Sequence, residues 1–334
     1  MKKILCILLL SFLFLTACNA GGDDTVVVGL PQDPDYLDPH RAVGAGTREM
    51  LFNIFEGLMK QNPDGSLSEA LAESYTISED KTTYTFTLRK GVLFHNGEPV
   101  TPEDVVYSYE RLSGQFDGTV YAEGLEGVLV TSAGNDVTFT LPEPNGAFLS
   151  EMIGPVIPKK LTPDEMNDHP IGTGPYMFSS YTPADSLKLE AFKDYWNDEK
   201  KAKIPYAEFR IFSDNNAMMT SLLGGEIDVL PRVTINQLPS LDDFDLYEGE
   251  QNLIQFMGFN LEYPLFSNPN ARKAIAHAID KDDLIKVVAQ GKGTILGSNL
   301  SPVMGEYFRE GLEYLYPYDI ERAKELLAEV PEDK

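Results

Sequence analysis

Apolar and polar residues alternate with a period of two in the first half of the chain, and this pattern predicts strands. In residues 82–89, aromatic and leucine side chains alternate with threonines and an arginine, which is typical of a strand with one buried face. Residues 128–141 repeat the alternation on both sides of Gly134-Asn135 and predict a hairpin. Shorter apolar runs predict further strands at 25–29, 176–181, 186–192, 208–212, 227–230 and 256–260.

A second pattern, apolar residues three or four apart, predicts helices. Thr47 is the expected N-cap of one helix, with Leu51, Ile54, Phe55 and Leu58 on its apolar face. Thr101-Pro102-Glu103-Asp104 predicts a second start, since it places a cap, a proline and two acids in order. Further helices are expected at 215–223, 270–279 and 281–290, and after Asp319.

One strand–helix–strand order stands out in the second half of the chain. The strand at 208–212, the helix at 215–223 and the strand at 227–230 follow one another with short connections. Such units build parallel sheet with a right-handed crossover. The sequence therefore predicts an α/β region here and a compact α+β region before it.

The N-terminus indicates export. Lys2-Lys3 precedes an apolar run from Ile4 to Leu15, too short to span a bilayer, so residues 1–17 are interpreted as a signal peptide. Leu15-Thr16-Ala17-Cys18 resembles a bacterial lipobox, in which the cysteine is diacylated. Cys18 is thus the expected lipid attachment site and residues 18–24 a tether. The alternative is a plain signal peptide with an incidental cysteine.

Composition narrows the functional classes. Lys+Arg total 27 against 52 for Asp+Glu, a net charge of −25, which argues against nucleic-acid binding. Of the two cysteines, Cys6 leaves with the signal and Cys18 is consumed by lipid, so no disulfide or thiolate metal site is expected.

Motifs of enzymes and resident metals are missing from the sequence. The four histidines form no local pair, and there is no H-E-x-x-H, G-x-S-x-G or phosphate-binding P-loop. Gly172-Thr173-Gly174 is interpreted as the entry into a strand rather than as a phosphate cradle. We expect no cofactor and no metal, and an enzyme is the least favoured class.

Several longer motifs resemble those of the family 5 extracellular solute-binding proteins, the peptide- and nickel-binding components of ABC importers. The match extends in order over essentially the whole mature chain. It rests on these segments: Leu37-Asp38-Pro39-His40, Phe55-Glu56-Gly57-Leu58, Leu71-Ala72-Glu73-Ser74, Phe94-His95-Asn96-Gly97, residues 101–108, residues 170–176, Tyr195-Trp196, Gly225-Glu226-Ile227-Asp228, Gly258-Phe259-Asn260, residues 272–280 and residues 318–327.

The resemblance implies an α/β fold of the periplasmic-binding-protein type II, with two lobes and an inserted α+β domain. Family members continue well past the helix after Asp319 and draw much of their grip on peptide termini from that later part, so the second lobe is expected to be incomplete. A fragment and a shortened reading frame both remain open. The implied division is 25–46 with 162–255 (first lobe), 47–161 (insert) and 256–334 (partial second lobe).

The function implied is capture of short peptides for an ABC permease and its ATPase, by a monomer anchored through lipid on the outer face of the bacterial cell membrane, or facing the periplasm if an outer membrane exists. By the same resemblance the loop of Val43, Gly44, Ala45 and Gly46 presents backbone to the ligand. Leu230, Pro231 and Arg232 follow a predicted parallel strand, where open α/β sheets bind ligands. These seven residues are the expected ligand contacts.

Two alternatives remain open. One is uptake of a nickel chelate or another small solute, in which case His40 or His95 contributes. The other is a signalling or chaperone-like lipoprotein that uses the same fold.

Overall fold

The computed structural model describes residues 24–116, 118–249 and 253–331. The predicted signal peptide and Cys18 therefore lie outside the described residues. The chain divides after Arg232 into two compact units, here unit 1 and unit 2. The lobe boundary expected at 255/256 stays a prediction.

Unit 1 contains ten strands and five α-helices within its described residues. The strands are β1 (Thr25–Leu30), β2 (Met59–Gln61), β3 (Leu67–Glu69), β4 (Ala72–Ile77), β5 (Thr83–Leu88), β6 (Leu129–Ala133), β7 (Asp136–Thr140), β8 (Tyr176–Thr182), β9 (Ser186–Ala191) and β10 (Tyr206–Ile211). The helices are α1 (Ala45–Leu51), α2 (Pro102–Leu112), α3 (Phe148–Glu151), α4 (Pro163–Asp168) and α5 (Asn215–Leu223).

One sheet has the order β1-β10-β9-β8, with β1 and β10 parallel and the other pairs antiparallel. On the free side of β1, Val229 forms an isolated parallel bridge with Val28. The predicted strand–helix–strand unit is therefore present in its connectivity, but its second strand is reduced to one bridge. Asp228 holds this segment in place, since its Oδ2 accepts the backbone N–H of Val27 at 2.7 Å.

The second sheet has the order β4-β5-β7-β6 and is antiparallel throughout. The predicted alternation in β5 is confirmed, because Tyr84, Phe86 and Leu88 are buried while the threonines between them are partly exposed. Helix α2 contributes to the same core and begins at the predicted N-cap Thr101, which forms a capping box with Asp104.

Helix α1 differs from the prediction. It begins at Ala45 after Gly44, so Thr47 lies inside the helix instead of capping it. It ends at Leu51, and Ile54, Phe55 and Leu58 are buried in the coil that follows. Thr47 is used differently: its hydroxyl accepts the backbone N–H of Asp35 at 3.3 Å, which ties the preceding loop to the helix.

Unit 2 is built from helices and coil. Its α-helices are α6 (Pro264–Ser267), α7 (Pro269–Ala278), α8 (Lys281–Val288) and α9 (Ile320–Ala328). Asp280 and Asp319 are the N-caps of α8 and α9, since their side chains accept backbone N–H groups at the starts of these helices. The strand predicted at 256–260 is wrong, because that segment has no ladder partner among the described residues and is coil.

Helices α7 and α9 pack against each other. Ala271 and Ala274 of α7 are buried, as are Ala323 and Leu326 of α9. The buried side chains are mostly small, so the two helices can approach closely and cover one another. Their other faces remain open, with Leu327 exposed by 53%.

Candidate functional site

Several of the family-like motifs meet around one buried carboxylate, Glu56. Its side chain is fully buried and accepts hydrogen bonds from the Tyr195 hydroxyl at 2.7 Å, the Trp196 indole N–H at 2.9 Å and the Thr173 hydroxyl at 3.1 Å. A carboxylate is costly to bury unless its oxygens are satisfied in this way. The cluster therefore fastens the β8–β10 region to the coil after α1 and is structural.

Gly172 and Gly174 have a packing role at the same place. A Cβ on Gly172 would lie 2.0 Å from the carbonyl oxygen of Ile54, and one on Gly174 would lie 2.4 Å from that of Asn53. The N–H of Gly174 donates to the Ile54 carbonyl at 2.8 Å. The interpretation as strand entry is confirmed, since this backbone contacts protein where a phosphate cradle would open to solvent.

The two histidines considered for nickel are held by backbone groups. In His95, Nδ1 accepts the N–H of Gly172 at 3.3 Å and Nε2 donates to the carbonyl of Gly174 at 3.0 Å. In His40, Nε2 contacts the carbonyl of Pro155 at 2.8 Å. Burial is the main cause that lowers the pKa of each to about 4, so both rings are neutral at pH 7. No three His, Cys, Asp or Glu side chains of the described residues are arranged to hold a metal ion.

A buried ion pair anchors the loop between β1 and α1. Arg111 of α2 donates through Nη1 to Oδ1 of Asp38 at 3.1 Å and through Nη2 to Oδ2. Burial alone lowers the pKa of Arg111, but the hydrogen bond and charge of Asp38 outweigh it and raise that pKa. The pair joins the loop to the antiparallel-sheet region, which fixes where the loop lies.

The structure brings the two predicted ligand segments to one end of the first sheet. Val43 and Gly44 lie in the loop that follows β1, and Leu230 to Arg232 follow the Val229 bridge, which runs parallel to β1. Arg232 also forms an ion pair with Glu49 on α1. We call this group the candidate edge: residues 43–46, 230–232, Asp35 and Glu49.

Backbone presentation by the 43–46 loop requires a correction. The N–H groups of Val43 and Gly44 donate to Oδ2 of Asp35 at 2.8 and 2.9 Å, so they are not free to pair with a ligand main chain. Ala45 and Gly46 belong to α1, and Gly46 is buried. The loop offers to solvent the side chains of Val43, which is exposed by 72%, and of Ala45.

Asp35 is the residue that the sequence reasoning missed. Partial burial acts to raise its pKa, but the hydrogen bonds from Val43, Thr47 and Gly44 together lower it to about 2. Its charge therefore persists at any physiological pH and keeps the loop folded back on itself. Glu49 was missed as well. An exposed acid on a helix is unremarkable until its partner is known, and Arg232 is 183 positions away.

Comparison with known proteins decides the family. A family profile named bacterial extracellular solute-binding proteins, family 5 Middle, matches residues 66–333. The chain belongs to this family. Its members are transport receptors and not enzymes. This agrees with the prediction from the sequence, in which an enzyme was the least favoured class.

Relatives of this family-5 chain differ in the solute that their names give. The glutathione-binding protein GsiB of Pectobacterium atrosepticum is 32% identical over 308 residues, which are 88% of this chain and 58% of that protein.

Among solved structures, DppA of Helicobacter pylori in complex with the peptide STSA is 25% identical with a TM-score of 0.72, covering 91% of this chain and 65% of that one. NikZ of Campylobacter jejuni in complex with Ni(L-His) is 25% identical with a TM-score of 0.71, covering 92% and 63%.

These similarities establish the α/β fold of a periplasmic-binding-protein-like receptor, as the resemblance implied. The chain spans about three-fifths of the length of these relatives. The family itself is one of extracellular solute-binding proteins of bacteria. In the described residues, the structure has no helix with the length and apolarity needed to cross a bilayer.

Proposed function

We propose that this protein captures short peptides outside the cell membrane and delivers them to the permease and ATPase of an ABC importer. The observation that carries the proposal is the candidate edge, where two loops meet at the carboxyl ends of parallel strands and are joined by the Arg232–Glu49 pair. Open α/β sheets bind their ligands at this position. We also propose the domain division that the family resemblance implies: a first lobe at 25–46 and 162–255, an insert at 47–161 and a partial second lobe at 256–334.

The surroundings of the two histidines favour a peptide over a nickel chelate as the solute. Nickel prefers imidazole ligands, yet His95 has both ring nitrogens bonded to backbone and His40 is buried beside Pro155. The peptide in the DppA complex and the glutathione in the name of GsiB, itself a peptide-like molecule, support the same solute class. NikZ, bound to Ni(L-His), keeps a nickel complex as the second candidate.

We further propose that Cys18 carries diacylglycerol and thioether-links a monomeric receptor to the membrane surface, with residues 18–24 as tether. The support is the Leu15-Thr16-Ala17-Cys18 motif at the end of the apolar run. Labelled palmitate fed to expressing cells should enter the wild type and not Cys18→Ala. Equal labelling of both proteins would contradict the anchor without affecting the peptide proposal.

Calorimetry tests the solute. The protein without residues 1–17 is titrated with a pool of di- to pentapeptides and, separately, with the nickel–histidine complex. We expect saturable heat with the peptides only. Saturable, stoichiometric binding of the nickel complex with no peptide response would replace the proposal by its alternative.

A further inference from the structure

Arg232 has a backbone conformation that its surroundings do not account for. Four non-glycine residues have positive φ among the described residues: Lys81, Ala184, Arg232 and Gln290. Lys81 and Ala184 lie in the turns before β5 and β9, and Gln290 follows α8. Arg232, with φ of 58°, lies in neither a hairpin turn nor a helix end. Strained conformations of this kind concentrate at functional sites.

The guanidinium of Arg232 is accessible. The side chain is exposed by 50%, and its one hydrogen bond within the described residues runs from Nη2 to Glu49, whose own side chain is exposed by 60%. A guanidinium has five donors in a planar fork that matches a carboxylate in two parallel hydrogen bonds. Most of that donor capacity therefore points to solvent at the candidate edge.

Neighbouring arginines are engaged in holding the loop. The guanidinium of Arg41 lies 4.2 Å from the ring centroid of Tyr36, and Nε of Arg48 donates to the Ala42 carbonyl at 2.9 Å. The Asp35 carboxylate accepts hydrogen bonds from the N–H groups of Val43 and Gly44. Of these three arginines, Arg232 is the one that pairs with an exposed glutamate, and an exposed ion pair of this kind is weak.

We propose that Arg232 recognises a carboxylate of the transported solute, and that Glu49 is the internal competitor which this carboxylate displaces. The inference rests on the proposed function and adds to it a solute class: peptides with a free carboxylate. The exchange is balanced in charge, since one carboxylate replaces another on the same guanidinium. The left-handed backbone conformation of Arg232 sets the direction in which the guanidinium extends, so that little conformational entropy is lost when the solute binds.

Calorimetry with three related tripeptides tests the proposal. Trialanine as free acid, trialanine amide and Ala-Asp-Ala amide separate a terminal carboxylate from a side-chain carboxylate. We expect the wild type to bind at least one carboxylate form about tenfold more tightly than trialanine amide. In Arg232→Gln and Arg232→Gly the ratio should fall to about one, whereas Glu49→Gln should raise affinity for the carboxylate form and leave the amide unchanged.

Arg322→Gln is the matched control, because Arg322 also pairs with an exposed glutamate, Glu325, but on α9. It should leave all affinities unchanged. Arg232→Gly keeps the left-handed backbone accessible while removing the fork. An undiminished carboxylate preference in both Arg232 variants would overturn the assignment, with the peptide proposal intact.

A second measurement does not depend on peptide binding. The ¹⁵N–¹H resonance of the Arg232 side-chain Nε is followed while acetate is added to Glu49→Gln and to the wild type. We expect a saturating shift of this resonance, at lower acetate concentration in Glu49→Gln. If acetate saturates Arg232 but no peptide form binds, the proposed function fails and the carboxylate site stands. A resonance that does not respond in either protein removes the site.

Discussion

The two units bury their apolar side chains to very different extents. Unit 1 has two hydrophobic clusters, and large side chains such as Phe86, Tyr109 and Phe139 are completely buried within one of them. Among the described residues of unit 2, the buried apolar side chains are few and mostly alanine, while Tyr247 and Phe256 are exposed by 95% and 84%. Since apolar burial is the main favourable term in folding, unit 1 should hold most of the chain's stability.

Matched phenylalanine truncations give the largest expected contrast. Phe139→Ala removes a ring packed against Phe86, Tyr109 and Phe148 and should lower the free energy of unfolding by about 3–5 kcal/mol. Phe256→Ala removes an exposed ring and should change that free energy by less than about 0.5 kcal/mol. Urea denaturation measures both, and equal losses would refute the contrast.

Hydrogen exchange extends this test to the backbone. Amides of β5 and β7 should exchange only through global unfolding, whereas amides of α8, which has no buried residue, should exchange through local opening. Protection of α8 equal to that of β5 would show that unit 2 is stabilised in a way that its burial does not explain.

Buried and exposed ion pairs should differ in the same direction. Asp38→Asn leaves the buried guanidinium of Arg111 without its counter-charge and should cost about 3–5 kcal/mol. Glu98→Gln breaks an exposed pair with Lys160, which solvent screens, and should leave the urea midpoint almost unchanged. Both are read from urea midpoints at constant m-value, and a larger loss in Glu98→Gln would reverse our ranking.

Acid should weaken unit 1 through His40 and His95. Their pKa values of about 4 lie below the ordinary 6.5. At a pH between these two values, the histidines are therefore protonated in the unfolded chain and neutral in the folded chain. Stability is therefore full above pH 6.5 and falls as the pH decreases towards 4, by about 2 kcal/mol for each histidine at pH 5. Urea titrations from pH 7 to 5 measure the slope.

The control for the acid effect is His95→Gln. It should reduce the slope of stability against pH by about half, because only one of the two histidines that take up a proton on unfolding remains. A wild-type protein whose stability does not change between pH 7 and 5 would show that neither histidine is held neutral.

Removal of a helix cap has the smallest expected effect. Thr101→Ala deletes the hydroxyl that accepts the Asp104 N–H and should cost about 1 kcal/mol. Because α2 packs into the core, this loss should appear in global unfolding. Asp319→Ala, the corresponding change on α9, should instead leave the urea midpoint of unit 1 unchanged. A shift of that midpoint would mean that the two units unfold together.

Local patterns were sufficient for much of unit 1. The alternation around Phe86 and the capping box of Thr101 involve residues within a few positions of each other, so the sequence displays them directly. The contacts of Glu56 with Tyr195, and of Arg232 with Glu49, join positions 139 and 183 residues apart. No local pattern reveals such pairs, which is why the motifs were found but the cluster that they form was not.

The failed predictions have similar causes. Residues 256–260 have the composition of a strand, but a strand requires a neighbouring strand that local sequence cannot supply. The 43–46 loop has the small residues of a backbone-presenting segment, but Asp35, eight residues before Val43, accepts the N–H groups of Val43 and Gly44. In both places the structure depends on whether a partner outside the motif is present: it is absent for 256–260 and present for the loop.

The Glu56 cluster also determines what tryptophan fluorescence measures in this chain. Trp196 is the single tryptophan, its indole N–H is bonded to Glu56, and the Arg89 guanidinium lies 4.4 Å from its ring centroid. Excitation at the red edge of the absorption band therefore samples one microenvironment in unit 1. Loss of structure confined to unit 2 will leave that emission spectrum unaltered while circular dichroism decreases, so the two spectroscopies together will show which unit unfolds first.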